Sequence, residues 1–80
     1  MKYVYVLVSI NCPTEIYIGL TDDLRKRVAA HNAGQSPHTR KFEPWRLVNY
    51  VAFADADKAS AFERYLKSGS GRAFIKKRLR

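Results

Sequence analysis

Apolar positions along this chain fall into three short runs and two longer amphipathic stretches. Tyr3 to Val8 is β-branched and aromatic and predicts a strand. Asn11-Cys12-Pro13-Thr14 is a turn. Ile16 to Leu20 predicts a second strand, with Ile16, Ile18 and Leu20 on one face and Tyr17 and Gly19 on the other. The two runs make an antiparallel hairpin. Thr21 is then placed as a helix N-cap, with Asp22 and Asp23 favourable in the first turn. That helix runs to about Asn32, and Gly34 is its stop signal. Gln35 to Pro44 is polar, holds two prolines and reads as a loop or short irregular turn. Arg46 to Phe53 alternates as a third strand. Asp55 or Asp57 caps a helix to about Lys67, Ser68-Gly69-Ser70-Gly71 breaks it, and Arg72 to Arg80 forms a short basic helix. The order is ββαβαα, an α/β (α+β) arrangement of a three-stranded antiparallel sheet flanked by helices.

Charged residues interrupt this pattern at informative places. Helical spacing puts Leu24, Arg27, Val28 and His31 on one stripe, whereas Arg25 and Lys26 point elsewhere and read as solvated. Ala59, Phe62, Glu63 and Leu66 share the same spacing, so Glu63 falls on an apolar stripe. A buried carboxylate is costly unless it is paired or binds a cation. Two readings stay open at this level. One is a structural Arg27–Glu63 ion pair. The other is a shared pocket in which Glu63 holds a divalent metal and Arg27 a phosphate; a carboxylate oxygen suits Mg²⁺ or Mn²⁺, and a planar guanidinium suits paired phosphate oxygens. Tyr5 and Tyr17 lie at strand centres and can present two phenols on one face of the hairpin, or simply pack with their hydroxyls at the rim. The stretch His38-Thr39-Arg40-Lys41 reads as a phosphate-contacting loop or merely a polar one. No Cys/His spacing fits zinc, and no glycine-rich phosphate loop is present.

Composition sharpens the picture. Eighty residues make one small domain with a thin core, and a hydrophobic fraction of 46% argues against disorder. The longest apolar run is strand-sized, too short to span a membrane. No small-residue cleavage site follows Lys2, so no signal peptide is expected. Cys12 is the single cysteine, cannot form an internal disulfide, and makes the cytoplasm the expected compartment. The net charge is +8, and it is concentrated: residues 61–80 carry seven Lys/Arg against Glu63, and residues 21–41 carry five against two Asp. A polyanion is the natural partner, and nucleic acid is the commonest for such a domain.

These residues together resemble the GIY-YIG nuclease family in its small, standalone bacterial form. The resemblance covers nearly the whole chain. Tyr3-Val4-Tyr5 takes the place of the first motif, and Tyr17-Ile18-Gly19 is the second intact. Arg27 lies ten residues after Tyr17, where the family has its catalytic arginine. His31 takes the following-turn position and Glu63 that of the metal-binding glutamate. The stretch Thr39 to Tyr50, with Pro44-Trp45-Arg46-Leu47-Val48, is also similar to the standalone members. Two departures stand out: Tyr3 and Val4 replace the family's glycine and isoleucine, and no asparagine follows Glu63.

The resemblance implies a metal-dependent endonuclease that hydrolyses DNA phosphodiester bonds, structure-selective or repair-related, with one Mg²⁺ or Mn²⁺ on Glu63. It implies Tyr5, Tyr17, Arg27, His31 and Glu63 as catalytic residues, with Tyr5 or His31 as the general base. His38, Arg40, Lys41, Lys67, Arg72, Lys76 and Lys77 are the expected nucleic-acid contacts. DNA is the expected partner, with a homodimer and a larger repair or recombination complex as further assemblies to test. The alternative is a non-catalytic nucleic-acid-binding module that retains the fold. A third reading is a small interaction domain in which Arg27 and Glu63 merely bridge.

Overall fold

A computed structural model describes residues 1–80. Strand β1 (Lys2–Ser9) is central in a three-stranded sheet of order β2-β1-β3, with β2 (Ile16–Thr21) and β3 (Trp45–Phe53) both antiparallel to it. Helix α1 (Leu24–Asn32) follows β2. Helix α2 (Ala56–Lys67) follows β3, and α3 (Gly69–Phe74) leads into a wider π turn over Ile75–Leu79. A single 3-10 turn, Arg40–Phe42, punctuates the loop before β3. The expected ββαβαα order and antiparallel sheet are therefore what the chain adopts. No helix is long and apolar enough to cross a membrane.

The sheet divides the interior in two, as strand alternation dictates. Val4 and Val6 of β1 face α2 and α3, joining Ile18, Ala59, Leu66 and Ile75 in one buried cluster. Tyr5 and Leu7 face the other way and join Trp45, with Tyr17, Leu24, Val28 and Phe42 packed around them. Because β1 has a partner on each side, all of Val4 to Val8 is at most 3% exposed. A register shift between Val6 and Leu7 on the β3 side lets Leu47 face α1 and Val48 face α2.

The structure corrects two sequence expectations about boundaries and decides a third. Thr21 is not the cap of α1. It ends β2, paired with Tyr3, and its hydroxyl accepts the Asp23 N–H. Asp23 caps instead, accepting the Lys26 N–H at 3.1 Å, so both aspartates precede the helix. The glycine-serine run does not break the helical region for long. Ser68 ends α2 and caps α3 at once by accepting the Gly71 N–H, so Gly69 and Gly71 lie inside α3. Glycine is required at 71, because a Cβ there would sit 1.8 Å from the Tyr65 carbonyl oxygen. Of the two candidates for the α2 cap, Asp55 serves, accepting from the Asp57 and Lys58 N–H groups.

Candidate functional site

The site is built on the α1 side of the sheet, around Tyr5. This residue pairs with Gly19 on β2, and its ring lies directly over that glycine. A Cβ at Gly19 would stand 2.3 Å from both Cζ and the hydroxyl oxygen of Tyr5. The glycine thus lets the phenol cross the neighbouring strand and reach α1. Tyr17, two residues earlier on β2, flanks it with ring centroids 6.2 Å apart.

His31, in the last turn of α1, is completely buried against both phenols, 4.8 Å from the Tyr17 ring and 5.9 Å from the Tyr5 ring. Its Nε2 shares a hydrogen bond of 2.9 Å with the Tyr5 hydroxyl, and its Nδ1 shares one of 2.7 Å with Thr39 Oγ1. Thr39 is also completely buried. Its carbonyl accepts the Trp45 indole N–H at 2.8 Å, while Asn32 grips the Trp45 backbone through both its amide atoms. A continuous chain of hydrogen bonds therefore runs from Tyr5 through His31 and Thr39 to the start of β3.

Arg27 stands one turn before His31 on α1 and is half-buried. Its guanidinium lies near both phenols, and its proximity to Tyr5, foremost, tightens its hold on its proton. Burial pushes the Tyr5 phenol above its ordinary value of 10.0; Arg27 pulls the other way, while the charges of Tyr17 and Glu63 add to the rise. Burial, then the Arg27 charge, pushes His31 below its ordinary 6.5. At neutral pH the inner pair is thus a neutral phenol hydrogen-bonded to a neutral imidazole. On its outer flank Arg27 lines a polar cleft of about 440 Å³ with Thr21, Asp22, Asp23, Lys26 and Gln35. The cleft is where an anion can meet the guanidinium.

Glu63 lies on α2 and is half-buried. It is near enough for its charge to act on Tyr5. The Arg27–Glu63 ion pair, one of the two readings of the sequence, does not form: Glu63 pairs with Lys67 at 3.1 Å, one turn along the same helix. Lys67, one of the expected nucleic-acid contacts, is thus paired with a carboxylate. No group of three or more His, Cys, Asp or Glu side chains converges anywhere in the chain. A cation that keeps most of its waters and takes one protein carboxylate, as Mg²⁺ does, fits such a site better than one needing a full protein cage. Glu63 suits it, being only 20% exposed at the side chain with a partner, Lys67, that is 52% exposed and free to swing away.

The structure thus gathers Tyr5, Tyr17, Arg27 and His31 tightly, with Glu63 within electrostatic reach. His38, Arg40 and Lys41 are exposed on the loop above His31. Arg72, Lys76 and Lys77 are exposed too, on the segment that packs Ile75 into the opposite cluster. The sequence reading missed Thr39, which turns inward from an otherwise exposed polar stretch, and it gave Gly19 no role. The register of Tyr5 opposite a glycine is the signal that identifies the second.

A family model described as the GIY-YIG catalytic domain matches residues 1–78. A UPF0213 protein of Lacticaseibacillus paracasei is 41% identical over 66 residues, covering 81% of this chain and 72% of that protein. One from Clostridium perfringens is 39% identical over 69 residues, covering 84% and 71%. The solution NMR structure of a UPF0213 protein from Bacillus halodurans superposes with a TM-score of 0.57 at 30% identity, covering 96% of this chain and 84% of that one.

Proposed function

The chain belongs to the GIY-YIG family, a nuclease-type family, and from that premise we propose that it is a divalent-metal-dependent endonuclease acting on DNA phosphodiester bonds. The observation that carries this reading is the convergence of Tyr5, Tyr17, Arg27 and His31 on one face, with Tyr5 hydrogen-bonded to His31 and Arg27 close enough for the two to shift each other's pKa.

Each residue has a distinct task. Arg27 binds a non-bridging phosphate oxygen in the polar cleft, and a phosphate drawing it outward uncovers the Tyr5 hydroxyl. Tyr5 then takes a proton from the attacking water while its own proton passes to His31 Nε2. This relay needs the His31 tautomer that donates Nδ1–H to Thr39 Oγ1, and the Thr39 hydroxyl is placed to accept it. His31 is completely buried and never meets the water itself; Tyr5 stands between them. Tyr17 holds the outer side of Tyr5 and Arg27. Glu63 would hold Mg²⁺ or Mn²⁺, whose contribution when bound is to stabilise negative charge on the leaving oxygen.

The decisive experiment is a panel of duplex, flapped, branched and single-stranded DNA, with and without Mg²⁺ or Mn²⁺, beside Glu63→Ala. Metal-dependent cleavage that disappears in the variant supports the assignment; cleavage undiminished by Glu63→Ala refutes it. A non-catalytic nucleic-acid-binding module is the second reading. It is favoured by the ion pair that occupies Glu63 and by the upward push on Tyr5, both unhelpful to catalysis in the free protein. Binding without cleavage across the whole panel would select it.

A further inference from the structure

Tyr3 has no part in the chemistry above, although it shares β1 and its α1-side face with Tyr5. Its ring meets that of Tyr50 on β3 edge-on, with centroids 6.0 Å apart. The two positions are diagonal neighbours across the β1–β3 ladder, where Tyr3 pairs with Ala52 and Tyr5 with Tyr50. Together they form one wall of a groove of about 680 Å³. Leu24, Val28 and Leu47 supply its apolar floor, and Arg25 and Asp22 stand at its rim.

This groove and the Arg27 cleft lie on opposite flanks of α1 and share Asp22 and Asp23 at the N-terminus of the helix. They are two arms of one surface, separated by a helix about 10 Å across. The Arg27 arm is polar. The Tyr3–Tyr50 arm is aromatic and apolar, and half of Tyr50 is exposed.

We propose that the Tyr3–Tyr50 groove is a nucleobase subsite, which takes an unpaired base of the strand whose phosphate lies against Arg27. The occupant follows from the chemistry. A chain of net charge +8 attracts a polyanion, and the part of a nucleic acid that suits an aromatic wall is a base, not a phosphate. Single-strand binders combine such platforms with a cationic track for the backbone. Arg25 at the rim supplies a cation for the backbone. Asp22, held 3.7 Å from Lys2, presents carboxylate oxygen to an exocyclic amine, a group that every base except thymine or uracil carries on its pairing edge. A base in a duplex has no free face to stack, so the groove selects strands that are single or locally opened. The inference rests on the phosphodiesterase reading for its account of the adjoining cleft, but binding can be measured without cleavage.

The test uses the full chain carrying Glu63→Ala, which silences the proposed chemistry. Fluorescence anisotropy follows a short labelled single strand, the same sequence as a duplex, and a single strand of abasic residues. Adding Tyr50→Ala is expected to weaken binding of the base-bearing single strand about 5- to 150-fold, the effect of one lost stack. Tyr50→Phe keeps the affinity, and binding of the duplex and the abasic strand is unchanged by either. Equal losses on all three ligands, or no loss on any, overturn the proposal. So does self-association in sedimentation that Tyr50→Ala abolishes while single-strand binding persists, since the groove then belongs to a second copy. Selective loss in the variant combined with no cleavage by the unsubstituted chain keeps the subsite and removes the nuclease assignment; cleavage with no effect of Tyr50 does the reverse.

Discussion

At the scale of single residues the site depends on one absence and one hydroxyl. The absence is the Gly19 side chain. Gly19→Ala puts a methyl 2.3 Å from the Tyr5 ring and hydroxyl, far inside contact distance, so Tyr5 or β2 must move. The expected cost is about 1–3 kcal/mol of stability, with loss of cleavage exceeding what unfolding explains, read from urea titration beside single-turnover rates. The hydroxyl is that of Thr39. Thr39→Val leaves His31 Nδ1 without a partner in a completely buried setting, at a cost of about 1–3 kcal/mol. Thr39→Ser restores the bond and is expected to recover activity, whereas a purely volumetric role for Thr39 would make the smaller serine worse. His31 also sets a pH dependence. Its folded-state pKa lies below its ordinary 6.5, so above that value it is neutral whether folded or unfolded and contributes no slope. As pH falls below 6.5 the unfolded chain takes up the proton first, and stability declines until the folded-state pKa is passed. Urea midpoints from pH 8 down to about 5 are expected to show this limb in the parent and to lack it in His31→Gln.

At the scale of elements, much was legible because apolar runs in a small domain have few places to go. The three strands, the helix bearing Arg27 and His31, and the helix bearing Glu63 all lie within a residue or two of their expected bounds. What sequence could not resolve were choices between locally equivalent partners. Thr21 and Asp23 are both good caps; the pairing of Thr21 with Tyr3 extends β2 and hands the cap to Asp23. For Glu63 the sequence offered Arg27 or a metal ion, and the structure pairs it instead with Lys67, four residues on and on the same helix face. Thr39 was illegible for a different reason. Its neighbours His38, Arg40 and Lys41 are exposed, and only the tertiary placement of His31 turns it inward. The capping assignment has a direct consequence, because Asp55 satisfies two N–H groups at the start of the helix that carries Glu63. Asp55→Ala is expected to cost about 1 kcal/mol. A loss that small in the urea midpoint, with cleavage per folded molecule preserved, would show that α2 holds Glu63 through its packing on the sheet rather than through its first turn.

At the scale of the whole molecule, charge and fold together decide how a nucleic acid lies. Six of the residues expected to meet nucleic acid form two groups, and the sheet stands between them. His38, Arg40 and Lys41 belong to the loop that closes over His31, on the face of Tyr5 and Arg27. Arg72, Lys76 and Lys77 surround Ile75, which is anchored in the cluster on the other face. The two groups lie on opposite faces of the sheet, and a strand seated against Arg27 meets the second group only by passing round the edge of the sheet. On the proposed nuclease reading the loop group is the one expected to work with the site, although the C-terminal segment is the more strongly charged. For a single strand, each phosphate contact contributes about 0.7 to the slope of log affinity against log salt. Replacing Arg40 and Lys41 together by alanine is expected to flatten that slope by about 1.4 for a short oligonucleotide, with cleavage weakened in parallel. Replacing Lys76 and Lys77 is expected to leave the slope for the short strand nearly unchanged, and to flatten it only for strands long enough to pass round the edge of the sheet. The opposite ranking on the short strand would place the bound backbone along the C-terminal segment instead, away from the cleft that Arg27 lines.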